Sequence, residues 1–204
     1  MQTNISYKTN RGATNHQGFN EYRLVVQPNE EVYNKVLIEK QFFNDHFGEK
    51  MVDPSLPQIM LARFQAKEEM EETIIRYLHR VCSRQTGFMV ELNNYSGYPP
   101  HSIYLRVQNP QPFTELAKQF EVINSYIDSC ACPPLHITLN PHIGIASSLN
   151  ESIYRQALIN YGQKTFHELF MVSELMLVKK SHEYDQEKAV NIFRLKPVDK
   201  TLYN

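Results

Sequence analysis

Two histidines near one another could move protons in this chain: His136, in His136-Ile137-Thr138, and His142, in Pro141-His142-Ile143-Gly144-Ile145-Ala146. Imidazole titrates near neutral pH without help, so either can serve as a general acid or base. The second stretch has a twin upstream, Pro57-Gln58-Ile59-Met60-Leu61-Ala62; both read Pro, a polar residue, Ile, a variable residue, a branched aliphatic, Ala. Side chains alternate along a β-strand, so His142 shares a face with Gly144, and Gln58 with Met60, while the aliphatics point into a core. Two such strands would line a cleft, with His142 on one wall and Gln58 on the other. An amide hydrogen-bonds a ligand but exchanges no proton near pH 7, so acid–base chemistry by this pair is one group short.

Other residues could complete the site. In one unbroken strand His136 and Thr138 share a face with Asn140 and His142, but six residues of strand span roughly 20 Å. Both histidines then reach one small group only if the run folds back; the alternative is that His136 and Thr138 form the motif and His142 is incidental. His101, after two prolines, could lie near the cleft mouth, although a turn histidine is the simpler role. Arg63 falls opposite Gln58 by alternation and is left out of the site, while Arg106 and Lys179 could supply positive charge. Tyr95 and Tyr98, beside Gly97, could stack a base, with packing again the simpler role. Cys130-x-Cys132 followed by His136 lacks a fourth ligand nearby and matches no common zinc spacing, so neither a metal nor a cofactor is expected.

The elements that position these residues follow from apolar periodicity. Tyr22 to Val26 reads as a strand, and Pro28-Asn29-Glu30-Glu31 opens a helix running to Phe47 and ending at Gly48. Gln58 to Phe64 is the first motif strand, and Lys67 to Arg84 a helix with Met70, Ile74, Leu78 and Val81 on its apolar stripe. Its early glutamates and late arginines match the helix dipole and mark a solvated face. Phe88 to Leu92 is a strand, and 93–100 a turn-rich crossing. The second half restarts with strand Ser102 to Val107 and a helix carrying Phe113, Leu116, Phe120, Ile123 and Ile127. The extended run Leu135 to Ala146 follows, broken at Pro141, then a helix over 150–161 and strands over 166–172, 174–180 and 190–195. Strand, helix, motif strand, helix, strand thus occurs twice, an α+β domain with internal pseudo-symmetry, helices outside and a cleft between the motif strands. The halves are about 21–98 and 99–197, flanked by a polar segment over 1–20, expected to be loose, and a tail over 198–204.

The 204 residues suit one compact domain of two small lobes. Twenty-one basic residues against twenty-two acidic argue against a long footprint on duplex nucleic acid but leave room for a local basic cleft. There is no apolar run of about 18 residues and no charged-then-apolar leader. Neither a membrane span nor a signal peptide is expected, and the cytoplasm is the default location. Cys82, Cys130 and Cys132 fit a reducing compartment. Oligomeric state is left open.

Pro-His-hydrophobic-x-Ile-Ala in the second motif, the flanking Phe88-Met89-Val90-Glu91-Leu92, Pro99 through Val107, Leu139-Asn140-Pro141-His142 and Phe170 through Leu177 together resemble the 2H phosphoesterase superfamily. That group contains the 2'-5' RNA ligase-like proteins and RNA cyclic phosphodiesterases. The resemblance runs from about Tyr22 to Pro197 and implies a bilobal fold with a metal-independent cleft. In it, two His-x-Thr/Ser motifs act on a phosphodiester, often a 2',3'-cyclic phosphate or a 2'-5' linkage. This sequence departs from the pattern at three of four positions: the first histidine is Gln58, and the hydroxyl positions are Met60 and Gly144. Loss of one general acid or base costs about 10² to 10⁴ in rate. The expectation is therefore a 2H-type protein with a degenerate site that binds a nucleotide or RNA-end phosphate with weak or no phosphodiesterase activity. The alternatives are an active cyclic phosphodiesterase using His142 and a relocated second group such as His136, and a non-catalytic protein-interaction module with a filled cleft.

Overall fold

The computed structural model describes residues 18–180 and 186–198. Residues 1–17 of the polar segment and 199–204 of the tail lie outside that description. The chain forms two antiparallel sheets. The five-stranded sheet has the order β5 (His136–Ile137), β2 (Ile59–Ala66), β1 (Asn20–Val26), β8 (Glu174–Lys180), β9 (Lys188–Arg194). The four-stranded sheet has the order β6 (His142–Ala146), β4 (Ser102–Val107), β3 (Phe88–Tyr98), β7 (His167–Val172).

Helices cover the outer faces. α1 (Glu30–Phe47) begins where the Asn29 side chain accepts from the Val32 amide at 3.0 Å, and it ends at Gly48, whose φ of 99° few residues with a side chain adopt. α1 packs on β6 and β7, and α5 (Glu151–Gly162), capped in the same way by Asn150, packs on β3 and β4. α2 (Glu71–Cys82), entered through a 3₁₀ turn at Glu68–Met70, packs on β9, and α3 (Gln111–Lys118) lies against β2. α4 (Glu121–Ser129) lies on α2. A single apolar cluster runs through both layers, with Tyr22, Phe43, Phe120, Tyr161, Phe170 and Phe193 its largest fully buried side chains.

Each half of the chain gives strands to both sheets. The first supplies β1 and β2 to one sheet and β3 to the other, and the second supplies β4 and β6 to that other sheet and β8 to the first. The first helix of each half crosses over: α1 covers the four-stranded sheet and α3 the five-stranded one. The strand–helix repeat in the sequence is thus a pair of interlocked halves.

Three local expectations are corrected. The stretch 93–100 is largely strand, because β3 continues to Tyr98. Its turn-forming residues instead make a bulge: pairing jumps from Leu92↔Val107 to Tyr95↔Leu105, and Asn94 takes φ of 57° while its side-chain oxygen accepts from the Phe166 amide. The helix expected through Phe113 and Ile127 is two, since the amides of Gln119 and Phe120 bond three residues back, to Leu116 and Ala117. All five apolar positions remain buried. The run from Leu135 to Ala146 divides at Thr138–Pro141, so His136 sits on the edge of one sheet and His142 on the edge of the other.

Candidate functional site

The uncovered faces of the sheets enclose a cleft of about 810 Å³ lined by Gln58, Met60, Thr138, His142 and Gly144, together with Arg23, Arg63, Lys180, Glu187 and the loop Asp53–Leu56. That is ample for a nucleotide-sized ligand. Both motif stretches meet there, and one short segment links them. Val52 bridges to Ala146, the Asp53 amide donates to Ile145 O at 3.0 Å, and the Ser147 amide donates to Met51 O at 2.9 Å, so residues 51–53 extend the four-stranded sheet. The chain then crosses directly to Gln58 and β2.

Lys40 of α1 fixes this crossing from below. It is 6% exposed, and its ammonium donates to Asp53 O at 2.9 Å and Ser55 O at 2.6 Å, with Asp53 Oδ1 at 3.6 Å. Burial pulls its pKa below the usual lysine range, and the Asp53 carboxylate opposes that pull. Asp53 Oδ1 also accepts from the Ser55 amide at 2.9 Å and from the Ser55 hydroxyl. Oδ2 remains free of hydrogen-bond partners among the described residues and lies against Gly144. A Cβ at Gly144 would stand 2.7 Å from the Asp53 carboxyl carbon and closer still to Oδ2. A carboxylate from a neighbouring loop therefore fills the space that a side chain at the second motif position would need.

His142 is exposed on β6, its ring 4.7 Å from that of Tyr104. Nδ1 lies 2.7 Å from Asn140 O, which only accepts, so Nδ1 carries the proton and Nε2 presents a lone pair in the neutral ring. Gln58 is 6% exposed; its amide nitrogen donates to Glu187 at 3.3 Å, and its Oε1 is buried without a partner among the described residues. Glu187 also holds Arg23 at 2.5 Å, and Arg23 is shared with Glu21.

Arg63 corrects the alternation argument. Pairing of β1 with β2 jumps from Leu24↔Ala62 to Val25↔Met60, leaving Leu61 as an extra residue in a bulge. The bulge shifts the face by one position, so Arg63 lines the cleft with Gln58 and Met60 while Ile59 and Phe64 stay in the core. The side chains of Arg63 and Lys180 have no hydrogen-bond or ion-pair partner among the described residues.

Of the remaining candidates, Thr138 alone lines the cleft. His136 is exposed, pairs with Arg63 across the sheet and is not among the lining residues, whereas Thr138 is. Lys179 points outward, paired with Glu71 at 2.7 Å and Glu68 at 3.2 Å. Arg106 is the cross-strand neighbour of His142, exposed and bonded to Gln108. Tyr95 packs on Tyr161 at 4.6 Å, and Tyr98 and His101 are exposed beside one another, away from the cleft lining. Cys82, Cys130 and Cys132 are free thiols, and no three metal-binding side chains cluster among the described residues. Sequence reasoning missed Asp53, Arg23, Arg63, Lys180 and Glu187. Asp53-Pro54-Ser55, a turn-forming triplet just ahead of the first motif, is the one local signal among them.

No protein-family model and no curated protein matches the sequence. Solved structures do match in three dimensions. Escherichia coli LigT complexed with 3'-AMP is 16% identical with a TM-score of 0.64, covering 87% of this chain and 98% of LigT. TT0787 of Thermus thermophilus is 17% identical with a TM-score of 0.67, and a structure described as a phosphoesterase is 15% identical with a TM-score of 0.60. Both again cover 87% of this chain and 98% of their own. Likeness at such identities is likeness of fold, and the α+β architecture of two antiparallel sheets is one this chain shares with LigT.

Proposed function

We propose that this chain, built on the fold of LigT and the phosphoesterases, uses its cleft to bind a nucleotide or RNA-end phosphate, with weak or no phosphodiesterase turnover. The observation that carries the reading is a pair of cations, Arg63 and Lys180, whose side chains have no partner among the described residues and which face a cleft about 810 Å³ in volume. Guanidinium and ammonium groups left without carboxylates on a concave surface are the chemistry that takes up phosphate. The structures of LigT complexed with 3'-AMP, NADP+, ATP and phosphate lend support, since LigT shares this fold. An open cleft weighs against the interaction-module alternative, in which Met60 and its neighbours fill it.

Weak turnover is the expectation from the motif residues. His142 can exchange a proton, Gln58 cannot, and His136 does not line the cleft. The test has two parts. Calorimetric titration with inorganic phosphate and 3'-AMP is expected to show binding that Arg63→Ala weakens about tenfold or more, while Lys179→Ala on the outer face leaves it unchanged. Hydrolysis of a 2',3'-cyclic nucleotide and a 2'-5'-linked oligonucleotide in metal-free buffer is expected to be negligible. Turnover that His142→Ala abolishes would instead establish an active phosphodiesterase, and absence of any phosphate binding would end the proposal.

A further inference from the structure

The two walls of the cleft differ in hydrogen-bonding character. Arg63 and Lys180, on β2 and β8, offer only donors and positive charge. The β6 wall offers acceptors. Asp53 Oδ2 stands over Gly144 without a partner among the described residues, and His142, two residues away on the same strand face, turns the lone pair of Nε2 outward. Asp53 is held in that attitude by Ser55 and Lys40, so its carboxylate is a fixed feature of the wall. A phosphate placed against the β6 wall would meet a carboxylate and be repelled, whereas a hydroxyl there would find acceptors that lack donors.

Resting on the phosphate-binding reading, we infer that the cleft selects a ribonucleotide end whose open phosphate stands beside a free vicinal hydroxyl, not a 2',3'-cyclic phosphate. Asp53 is the residue that reads the hydroxyl. The phosphate lies towards Arg63 and Lys180, and the hydroxyl donates to Asp53 Oδ2 with His142 beside it. A cyclic phosphate has both ribose oxygens esterified and offers that wall no donor. Gly144 is part of the same arrangement, because any side chain there would push the carboxylate out of place.

The test is titration of the full chain with inorganic phosphate, 3'-AMP, 2'-deoxy-3'-AMP and 2',3'-cyclic AMP. The expected order has 3'-AMP tighter than the deoxy and cyclic compounds by about tenfold to a hundredfold, the usual yield of a hydrogen bond to a charged acceptor. Asp53→Asn keeps an oxygen for Ser55 and is expected to shrink that gap several-fold. If the cyclic or deoxy compound binds as tightly as 3'-AMP while phosphate binding still depends on Arg63, hydroxyl selection is overturned and phosphate binding stands. If neither phosphate nor any nucleotide binds, both fall together. The ligand series on the unaltered protein decides the matter even if Asp53→Asn loses stability.

Discussion

Gly144 and Asp53 form one unit, although ninety-one positions separate them in the chain (144 − 53 = 91). A Ser at position 144 would add a hydroxyl facing the cleft yet collide with the carboxylate that Ser55 and Lys40 fasten. Gly144→Ser is expected to cost about 1–3 kcal/mol in urea unfolding, and Asp53→Ala in the same molecule to recover part of that loss, a coupling that a double-mutant cycle measures. Glu187 makes the opposite kind of prediction. It places a carboxylate on Arg23 inside the cleft proposed to take phosphate, so Glu187→Gln is expected to tighten inorganic phosphate several-fold, read by calorimetry. At this scale alternation makes the faces legible, Gln58 with Met60 and His142 with Gly144. It could not find Asp53 or Glu187, which enter from loops whose approach depends on the finished fold.

Strands and helices obeyed apolar periodicity except where the backbone breaks its own period. The bulge at Leu61 reverses the alternation that assigned Arg63 to the core-facing side, and the bulge at Asn94 lets turn-forming residues sit within a strand. Both arise because two unequal strands must keep their hydrogen-bond ladder, a demand that one strand's sequence does not record. The split between α3 and α4 is likewise invisible to the apolar stripe, which runs on through Phe120. Helix α2 was plain from its stripe and its charges, and its last residue supplies a test. Burial pushes the Cys82 thiol up to about 12, from an ordinary value of 9.0. The unfolded chain therefore gives up this proton first, and stability is lost as pH rises from about 9 towards 12, by on the order of 1 kcal/mol per pH unit. Burial pushes Tyr22, also to about 12, in the same direction. Urea midpoints between pH 8 and 10.5 are expected to fall, and less steeply in Cys82→Ala.

Across the whole molecule the interlocked halves decide how the chain behaves when cut. Helix α1 lies on β6 and β7 of the second half, and β8 of the second half pairs with β1 of the first, so neither sheet is complete without both. Fragments 1–98 and 99–204 are expected to be unfolded when expressed separately and to regain strand and helix signals in circular dichroism when mixed. The repeat that implies this arrangement was visible in the sequence as two copies of strand, helix, motif strand, helix, strand. The exchange of helices was not, because it depends on how the copies face one another. Among the described residues no helix is long and apolar enough to cross a membrane.

The crossing from Val52 to Gln58 also bears on kinetics. Hydrogen-bonded to β6 at one end, held by Lys40 in the middle and continuous with β2 at the other, it sets the spacing of the two walls like a spacer bar. A mouth held at constant width admits a ligand without waiting for a rare opening. In stopped-flow mixing, the observed rate should therefore climb in proportion to ligand concentration with no plateau, and differences in affinity between ligands should appear in how slowly they leave.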